Sequence, residues 1–231
     1  MPAQLCATRE ALSGLRSGMT VMVGGFGLVG APLTLIEALG ELEVDGLTVI
    51  SNNLGEPGRG LGKLLRQGKI RRAIGSYFTS NPEVAGAKQR GELEVGLLPQ
   101  GTLAEAIRAG GAGLGGFYTP TGAGTSLAEG KEQRWLGGRL QVFEQPLTAD
   151  FALIRAQRAD SLGNLHYRRT AQNFNPAMAT AARITVAEVD ELLPEGALEP
   201  EAVHTPHLYV QRLVLAEVQI LDVKPASEML A

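Results

Sequence analysis

TVMVGGFGLVGAP, residues 20–32, is the stretch of sequence that decides the fold. Residues 21–23 have the branched, apolar character of a buried strand. Pro32 suits the first turn of a helix, where its missing N–H needs no partner. Four glycines lie between, at positions 24, 25, 27 and 30, and glycine allows positive φ and close approach of the backbone. The stretch therefore predicts a strand, a loop and a helix, with the loop binding a phosphate or an oxyanion at the positive end of the helix dipole.

The same loop also favours an alternative, an NAD(P)-dependent oxidoreductase. Gly25, Gly27 and Gly30 match the G-x-G-x-x-G pattern of dinucleotide-binding folds. That pattern needs an Asp or Glu about 20 residues further on, at the end of the second strand, to bind the adenine ribose. Here the second predicted strand ends in Ser51-Asn52-Asn53, and Asp45 precedes it. The alternative stays open, but its ribose ligand is missing.

Composition is that of an ordinary soluble globular protein. The 231 residues, 44% of them hydrophobic, fit one large α/β domain or one domain with an appendage. A net charge of −3 leaves no broad basic face for nucleic acid. The uncharged run 17–36 is interrupted by five glycines and a proline, and no signal peptide precedes it, so we expect no membrane segment. The single Cys6 indicates a reducing, cytoplasmic location, with Cys6 packing on the first helix.

Strands and helices alternate along the first 110 residues. Strands are predicted at 20–24, 47–51, 70–75 and 93–98, and helices at 5–16, 32–42, 61–67, 83–90 and 102–109. This alternation predicts an α/β fold with an open, mostly parallel sheet and helices on both faces. Ligands of such sheets bind beyond the carboxyl ends of the strands. There the sequence has the glycine loop, Ser51-Asn52-Asn53, Ser76-Tyr77 and Pro99-Gln100-Gly101-Thr102.

The pattern changes beyond residue 110. Residues 110–125 are too rich in glycine for a helix and too apolar for a linker, which predicts an ordered, buried loop. Further strands are predicted at 139–143, 151–156, 165–168, 184–188 and 208–215, with a hairpin turn at 160–164 and a short helix at 175–182. We expect a single domain over residues 1–231, with a smaller β-rich portion within about 112–170. The tail after Glu217 carries no pattern.

A series of motifs resembles the α subunit of family I coenzyme A transferases, of the succinyl-CoA:3-oxoacid type. The motifs lie at 23–32, 51–53, 91–95, 99–103, 110–113, 117–122, 150–156, 163–164 and 171–176. The similarity runs from about residue 5 to 215, and such an ordered series is far more specific than one G-x-G-x-x-G. The resemblance implies a CoA-transferase α-subunit-like fold in which CoA is a substrate and no cofactor is tightly bound.

The resemblance also implies a ping-pong transfer of CoA from an acyl-CoA to a carboxylic acid. A glutamate carboxylate attacks the thioester, and a glutamyl-CoA thioester remains for the second acid. The family carries this glutamate in a Ser-Glu-Asn-Gly motif on a separate β subunit, and this chain has no such motif. We therefore expect an α2β2 or higher hetero-oligomer whose active site is completed at the subunit interface. Glu56 is the one substitute in this chain, and a solvated loop carboxylate is the favoured interpretation of it.

Several residues are predicted to bind the substrates. Each reaction step passes through an oxyanion that needs fixed N–H donors, and Asn52 is predicted as one. The resemblance implies that Gln100 lies near the acid substrate, with a capping or turn role equally open, and Asn53 is also assigned to substrate binding. The family pattern places CoA at the loop residues Gly24, Gly25, Phe26, Gly27, Leu28, Val29 and Gly30. Asn173 and Asn175 are interpreted as organising a turn.

No metal site is expected. His204 and His207 have metal-like spacing, but they flank Pro206 and no Cys or third His lies nearby. His166 is interpreted as a packing or surface residue. Among acids, Ser51-Asn52-Asn53 resembles the 3-oxoacid branch, which favours succinyl-CoA and acetoacetate, as in ketone body metabolism, over 3-oxoadipate or acetate. A non-catalytic ligand-binding α/β module is the remaining alternative.

Overall fold

The computed structural model describes residues 2–218, in which twelve strands and six α-helices are found. The strands are β1 Gln4–Leu5, β2 Thr20–Val23, β3 Leu47–Ile50, β4 Ile70–Gly75, β5 Glu94–Leu97, β6 Phe117–Thr119, β7 Gln133–Leu136, β8 Arg139–Glu144, β9 Ala149–Asp160, β10 Leu165–His166, β11 Ala182–Leu193 and β12 Arg212–Leu215. The helices are α1 Thr8–Ala11, α2 Leu33–Glu41, α3 Leu61–Arg66, α4 Pro82–Gln89, α5 Gln100–Gly111 and α6 Asn175–Thr180.

Most of the strands form one open sheet. Its order is β1-β12-β11-β9-β2-β3-β4-β5, and every neighbouring pair on this path is parallel. β10 pairs with β9 antiparallel, through the turn predicted at 160–164. These pairings confirm the mostly parallel sheet. A parallel arrangement is possible because each connection between neighbouring parallel strands is long enough to return the chain to the edge where the previous strand began.

The sheet is covered by helices on both faces, as predicted. Side chains alternate along each strand, so that Val21 and Val23 pack on one face and Met22 on the other. The first face buries apolar side chains of α1, α2, α3 and α4. The second face buries those of α5 and α6. Two hydrophobic cores therefore hold the strand ends in fixed positions.

The centre of the sheet is a topological switch point. From β2 the chain continues through α2 to β3 on one side, whereas from β9 it continues through α6 to β11 on the other. Adjacent strands whose connections leave in opposite directions open a crevice at their carboxyl ends, where ligands of such sheets bind. The glycine loop after β2 lies at this point. We refer to the edge of the sheet where the parallel strands end as the carboxyl edge.

The N-terminal segment differs from its prediction. The helix predicted at 5–16 is wrong, because only α1 is helical and residues 4–5 form β1, which pairs with β12. Gly14 and Gly18 have φ of +91° and +79°, a conformation that glycine adopts readily in turns. Cys6 accordingly precedes α1 and packs, half-buried, against the first core.

Two further predictions in the second half are corrected. The loop predicted at 110–125 is not buried: α5 extends to Gly111, and the residues beyond it are half-buried or exposed. The strand predicted at 208–215 is shorter, since residues 207–209 form a 3-10 turn before β12. Residues 110–125 are rich in glycine and residues 208–215 are mostly apolar, and neither segment has a periodicity that specifies its local conformation.

A small antiparallel sheet, ordered β6-β8-β7, stands apart from the main one. It spans residues 117–144, whereas β9 belongs to the main sheet. The division of the chain into domains stays a prediction. Within residues 2–218 no helix is both long and apolar enough to cross a membrane. The C-terminal tail singled out in the sequence lies, from residue 219 onward, outside the described residues.

Candidate active site

The glycine loop after β2 is a tight hairpin, residues 25–30, which we call the glycine hairpin. The backbone N–H of Phe26 donates to the carbonyl of Val29 at 2.9 Å, and the N–H of Val29 donates back at 3.2 Å. Gly27, at the tip, has φ of +61°. The side chains of Phe26 and Val29 are 55% and 44% exposed, while Leu28 is buried. The hairpin therefore presents two apolar side chains at the carboxyl edge.

Most N–H groups of this loop are engaged within the protein. Beyond the Phe26–Val29 pair, the N–H of Gly24 donates to Leu153 O at 2.9 Å, and that of Gly25 donates to Asn173 Oδ1 at 3.1 Å. Four of the donors predicted to converge on an anion are thus occupied. The loop differs from an open cradle of N–H groups because it folds back on itself and against a distant segment of the chain.

The positive end of α2 already faces a carboxylate of the protein. The N–H of Leu35 donates to Glu188 Oε2 at 3.1 Å, and the Glu188 side chain is fully buried. Burial raises the pKa of Glu188 to about 7, although Arg155 and the bonds from α2 act in the opposite direction. In its ionised form, Glu188 offsets the helix dipole in the way that a bound anion would.

Arg155 completes this buried charge cluster. It lies directly across from Glu188 in the pairing of β9 with β11. Its Nη1 is 2.5 Å from Glu188 Oε1, and its Nη2 is 2.5 Å from Asp190 Oδ1. Sequence reasoning missed this cluster. The available signal was Glu188, a charged residue at the end of the strand predicted at 184–188, because a charge that becomes buried in a sheet needs a partner.

Polar side chains from three neighbouring strand ends meet at the carboxyl edge, and we call Asn52, Asn53, Ser76 and Gln100 the amide cluster. Asn52 Nδ2 donates to Ser76 Oγ at 2.9 Å and to Gln100 Oε1 at 2.8 Å. The hydroxyl of Ser76 also donates to Gln100 Oε1. Because β3, β4 and β5 are parallel neighbours, the residues after them end at one edge.

The two donors fix the orientation of the Gln100 amide. Since Oε1 accepts from Asn52 and Ser76, Nε2 must face the other way, and its hydrogens have no partner among residues 2–218. Gln100 is exposed, at the start of α5. The amide cluster therefore presents the Nε2 group of Gln100, in a fixed orientation, to a ligand bound at the carboxyl edge.

Asn52 and Asn53 themselves are turned inward. They are 1% and 5% exposed. Asn53 Nδ2 donates to Asn52 Oδ1 at 3.2 Å, and Asn53 Oδ1 accepts from the N–H of Gly55 at 2.8 Å. The Nδ2 group of Asn52 donates to Ser76 and Gln100. The geometry therefore favours a role in which Asn52 orients Gln100, and Gln100 contacts the ligand. The inward amides also leave no carboxylate at the end of β3 to bind a ribose. The role of Ser76 was not foreseen.

Glu56 lies in a second hairpin, residues 55–60, after β3. Its carboxylate is 2.5 Å from Arg59 Nη1, and the backbones of the two residues pair across the hairpin. Both hairpins begin and end on glycines of positive φ. They are in contact, because a Cβ added to Gly60 would lie 2.9 Å from Leu28 Cδ2. Glu56 is thus part of an ion pair inside its own loop, which supports its non-catalytic interpretation.

His166 and His204 pack against each other. The rings of His166 and His204 stack with centroids 4.7 Å apart, and His204 Nδ1 accepts from the N–H of Tyr167 at 3.0 Å. Burial, and then the neighbouring His166, lowers the pKa of His204. In the part of the chain that the structure describes, no three His, Cys, Asp or Glu residues are placed to hold a metal ion.

Comparison with known proteins decides the family. A family model described as Coenzyme A transferase matches residues 7–216, nearly the whole described chain. The chain belongs to the coenzyme A transferase family. This confirms the resemblance drawn from the motifs, and it places the chain among CoA-transferases rather than dinucleotide-dependent oxidoreductases or non-catalytic modules.

Curated relatives identify the type of subunit. The A-type subunit of the succinyl-CoA:3-ketoacid coenzyme A transferase of Xanthomonas campestris pv. campestris (strain B100) is 54% identical over 208 residues, covering 90% of this chain and 86% of that protein. The alpha subunit of the acetate CoA-transferase of Escherichia coli (strain K12) is 46% identical over 217 residues, covering 94% and 99%. These relatives are named as A-type or alpha subunits, in agreement with the α-subunit motifs and with the partner β subunit expected from them. The stoichiometry of the two stays a prediction.

Solved structures share the fold at low sequence identity. An acyl-CoA transferase from Escherichia coli O157:H7 in a thioester complex with CoA has a TM-score of 0.84 at 20% identity, over 94% of this chain. This chain spans 50% of the length of that one. Glutaconate coenzyme A-transferase from Acidaminococcus fermentans has a TM-score of 0.76 at 16% identity, over 93% of this chain and 76% of that one. The open parallel sheet is therefore the fold of CoA-transferases.

Proposed function

We propose that this chain is the α subunit of a transferase that moves CoA from succinyl-CoA to a 3-oxoacid, with acetoacetate as the acceptor. The names of the 54% and 49% identical relatives support this choice of acid. Relatives named for acetate and for 3-oxoadipate are each 46% identical. The observation that carries the proposal is the oriented amide of Gln100 at the carboxyl edge, held by Asn52 from the end of β3, the strand next to β2.

The chemistry needs a nucleophile that we assign to the partner. Its glutamate carboxylate attacks the thioester carbonyl, and CoA leaves as a thiolate, giving a mixed anhydride. The thiolate then attacks the glutamyl carbonyl, which releases the first acid and leaves a glutamyl-CoA thioester. In the reverse steps, the carboxylate of the second acid attacks the glutamyl-CoA carbonyl and CoA leaves as a thiolate. The thiolate then attacks the carbonyl of the second acid in the new mixed anhydride, which gives the product acyl-CoA and frees the glutamate. Each attack forms a tetrahedral oxyanion that a fixed N–H donor stabilises.

In this scheme Gln100 is the hydrogen-bond donor that the α subunit supplies to the acid substrate. Its Nε2 group binds the carboxylate or keto oxygen of the acid without adding a charge that would compete with the nucleophile. Asn52 and Ser76 contribute by holding Oε1, at 2.8 Å in the case of Asn52. A donor that is oriented before the substrate arrives needs little reorganisation during the reaction.

The glycine hairpin is assigned to CoA. Phe26 and Val29 line a groove of about 730 Å³, together with Pro176 and the cation Arg169. An apolar wall with a few polar groups suits the pantetheine arm, whose amides and methylene groups need both. Since Gly24, Gly25, Phe26 and Val29 use their N–H groups internally, we assign the contact with CoA to side chains and to the hairpin tip.

The test locates the covalent intermediate. The chain alone should show no transferase activity, and co-expression with its partner should restore exchange between succinyl-CoA and acetoacetate. When the complex is incubated with acyl-CoA, mass spectrometry of the separated subunits should find the CoA adduct on a glutamate of the partner. A panel with acetate and 3-oxoadipate as acceptors checks the choice of acid.

Glu56→Gln is the matched control for this assignment. We expect it to cost little activity, because Glu56 is held by Arg59 in its own hairpin. A true nucleophile would be lost with a rate drop of several orders of magnitude, since no other group forms the covalent intermediate. A CoA adduct on Glu56, or turnover by the purified chain alone, would reject the division of labour between the subunits.

A further inference from the structure

The glycine hairpin is held from outside by one asparagine that contacts both of its legs. Asn173 Oδ1 accepts from the N–H of Gly25 at 3.1 Å. Asn173 Nδ2 donates to the carbonyl of Val29 at 3.0 Å. One side-chain amide thus bridges the incoming and outgoing legs, from a position more than 140 residues later in the chain.

A second asparagine fixes the base of the hairpin to the sheet. Asn175 is fully buried. Its Nδ2 donates to the carbonyl of Gly30 at 3.0 Å, and its Oδ1 accepts from the backbone N–H of Arg155 at 3.1 Å. Because Arg155 belongs to β9, the hairpin is connected to the strand on the other side of the switch point. We call Asn173 and Asn175 the asparagine clamp.

The clamp explains two of the glycines. A Cβ added to Gly24 would lie 1.8 Å from Asn175 Oδ1, and one added to Gly30 would lie 2.6 Å from Ala171 O and 2.9 Å from Asn173 Nδ2. At Gly27 nothing lies within 4 Å of an added Cβ. Gly24 and Gly30 therefore make room for the clamp, whereas the tip of the hairpin is open.

The segment that carries the clamp has an unusual backbone. Asn173 has φ of +21° and Arg169 has φ of +51°, and these are the two positive values among the non-glycine residues described. Positive φ costs free energy for residues with a side chain, and it is retained where surrounding contacts impose it. The hydrogen bonds of the Asn173 amide to Gly25, Val29, Thr170 and Phe174 are such contacts.

We propose that Asn173 is a positioning residue for acyl-CoA binding. Its amide sets the separation of the two legs, and thereby places Phe26 and Val29 along the groove. The proposal rests on the proposed function, in which that groove takes CoA. A merely turn-forming role would need only the positive φ, which glycine supplies more easily than asparagine. The two roles therefore make opposite predictions for a glycine variant.

The experiment compares variants in the co-expressed complex with the partner. Asn173→Gly keeps the backbone conformation and removes both links to the hairpin. Asn173→Asp keeps the acceptor for Gly25 and loses the donor to Val29. Asn164→Gly is the matched control, because it removes a turn asparagine that donates to Asp160 at 2.8 Å, far along the chain from the hairpin. Amide hydrogen exchange and steady-state kinetics are measured on each.

We expect the amides of Phe26 and Val29 to exchange on the order of tenfold faster in Asn173→Gly, the change expected from losing one or two hydrogen bonds. Exchange in β9 should be unchanged. The KM for succinyl-CoA should rise by a similar factor, with the KM for acetoacetate and kcat within about twofold, because ground-state binding of one substrate is affected. Asn173→Asp should lie between wild type and Asn173→Gly, and Asn164→Gly should match wild type.

Unchanged exchange of the hairpin amides in Asn173→Gly would overturn the positioning role, whatever the kinetics. Faster exchange with an unchanged KM for succinyl-CoA would overturn the link to CoA. If Asn173→Gly fails to fold, the same two comparisons are made with Asn173→Asp. A wild-type complex without transferase activity would instead reject the proposed function, and the exchange data would still decide whether Asn173 holds the hairpin.

Discussion

At the scale of single residues, the candidate site depends on which atom of an amide is used. Exposed glutamines are common in a protein of this size, and a glutamine at the start of a helix is not unusual. The sequence alone therefore does not distinguish Gln100. What distinguishes it is that Asn52 and Ser76 both donate to Oε1. A glutamine side chain has two donors and two acceptor positions, and this arrangement selects the donors for the ligand.

We expect Gln100→Ala to raise the KM for the acid substrate roughly ten- to a hundredfold, since it removes a hydrogen bond to a charged group. The KM for the acyl-CoA should change less. Steady-state kinetics of the complex, with each substrate varied in turn, provides the measurement. Equal effects on both KM values would assign Gln100 to a scaffolding role.

Ser76→Ala tests the orientation of that amide. It removes one of two donors to Oε1, so the KM for the acid should rise about fivefold, as expected from a hydrogen bond worth about 1 kcal/mol. In the Gln100→Ala background the same change should have no further effect, because the two residues act through one group. Additive effects in this double-mutant cycle would show that Ser76 acts independently of Gln100.

At the scale of elements, two consecutive strands are followed by hairpins of the same shape. Residues 25–30 and 55–60 each close with an antiparallel backbone pair and begin and end on glycines of positive φ. The first carries exposed apolar side chains, and the second carries the Glu56–Arg59 ion pair. These two strand-to-helix turns are therefore built alike but offer different surfaces.

Gly27→Val is expected to weaken CoA binding while the fold is retained. Gly27 has φ of +61° and open space around an added Cβ, so valine introduces backbone strain of about 1–3 kcal/mol at the hairpin tip without a clash. Gly68→Val is the control, because Gly68 has φ of +69°, equally open space and a position in the turn before β4. Calorimetry with CoA and thermal unfolding separate the two effects.

The two variants should lose similar stability, and only Gly27→Val should lose affinity for CoA. Native affinity in folded Gly27→Val would remove the glycine hairpin from the CoA site. A comparable loss of affinity in Gly68→Val would attribute the effect to general destabilisation of the protein rather than to the hairpin.

At the scale of the whole molecule, the order of strands brings together groups that are far apart in sequence. β9 lies between β2 and β11, so Glu188, paired with Arg155, reaches the start of α2, the helix that follows β2 and the glycine hairpin. Val218 O accepts from Arg155 Nη1 at 3.2 Å, and the N–H groups of Glu217 and Val218 donate to Thr34 Oγ1 at 2.9 Å. The C-terminal end of the described chain is thereby attached to the same point.

The pKa of Glu188, raised from 4.5 to about 7 by burial, makes a prediction for stability. A carboxyl whose pKa is higher in the folded state stabilises the fold most when it is protonated. This contribution is complete below pH 4.5 and is lost as the pH rises through about 7. The free energy of unfolding of wild type relative to Glu188→Gln should therefore decrease by up to about 3 kcal/mol between pH 4.5 and 7.5.

Urea unfolding of the two proteins across this range provides the measurement. A difference that does not depend on pH would show that Glu188 does not titrate there. A difference that increases with pH would show that the attraction of Arg155 for the carboxylate exceeds the effect of burial, and that the pKa of Glu188 is lowered rather than raised.

The sequence predicted the sheet and its functional edge because both depend on local patterns. Apolar runs, glycine loops and helical segments recur in order from β2 to α5, and the observed strands 70–75 and 94–97 lie where they were expected. The prediction was wrong for the helix at 5–16 because β1 is stabilised by pairing with β12, about 200 residues away. Local pattern contains no information about such a partner.

By itself, the sequence determined the family through its motifs, the strand–loop–helix unit after β2 and the gathering of Asn52, Asn53 and Gln100 at one edge. Those features follow from residue types and their spacing along the chain. Only the tertiary structure decided that Glu188 faces the start of α2, that Asn173 and Asn175 hold the glycine hairpin, and that Gln100 presents its Nε2. Each of these depends on hydrogen bonds between distant segments, and which partners meet is settled by strand order and side-chain orientation.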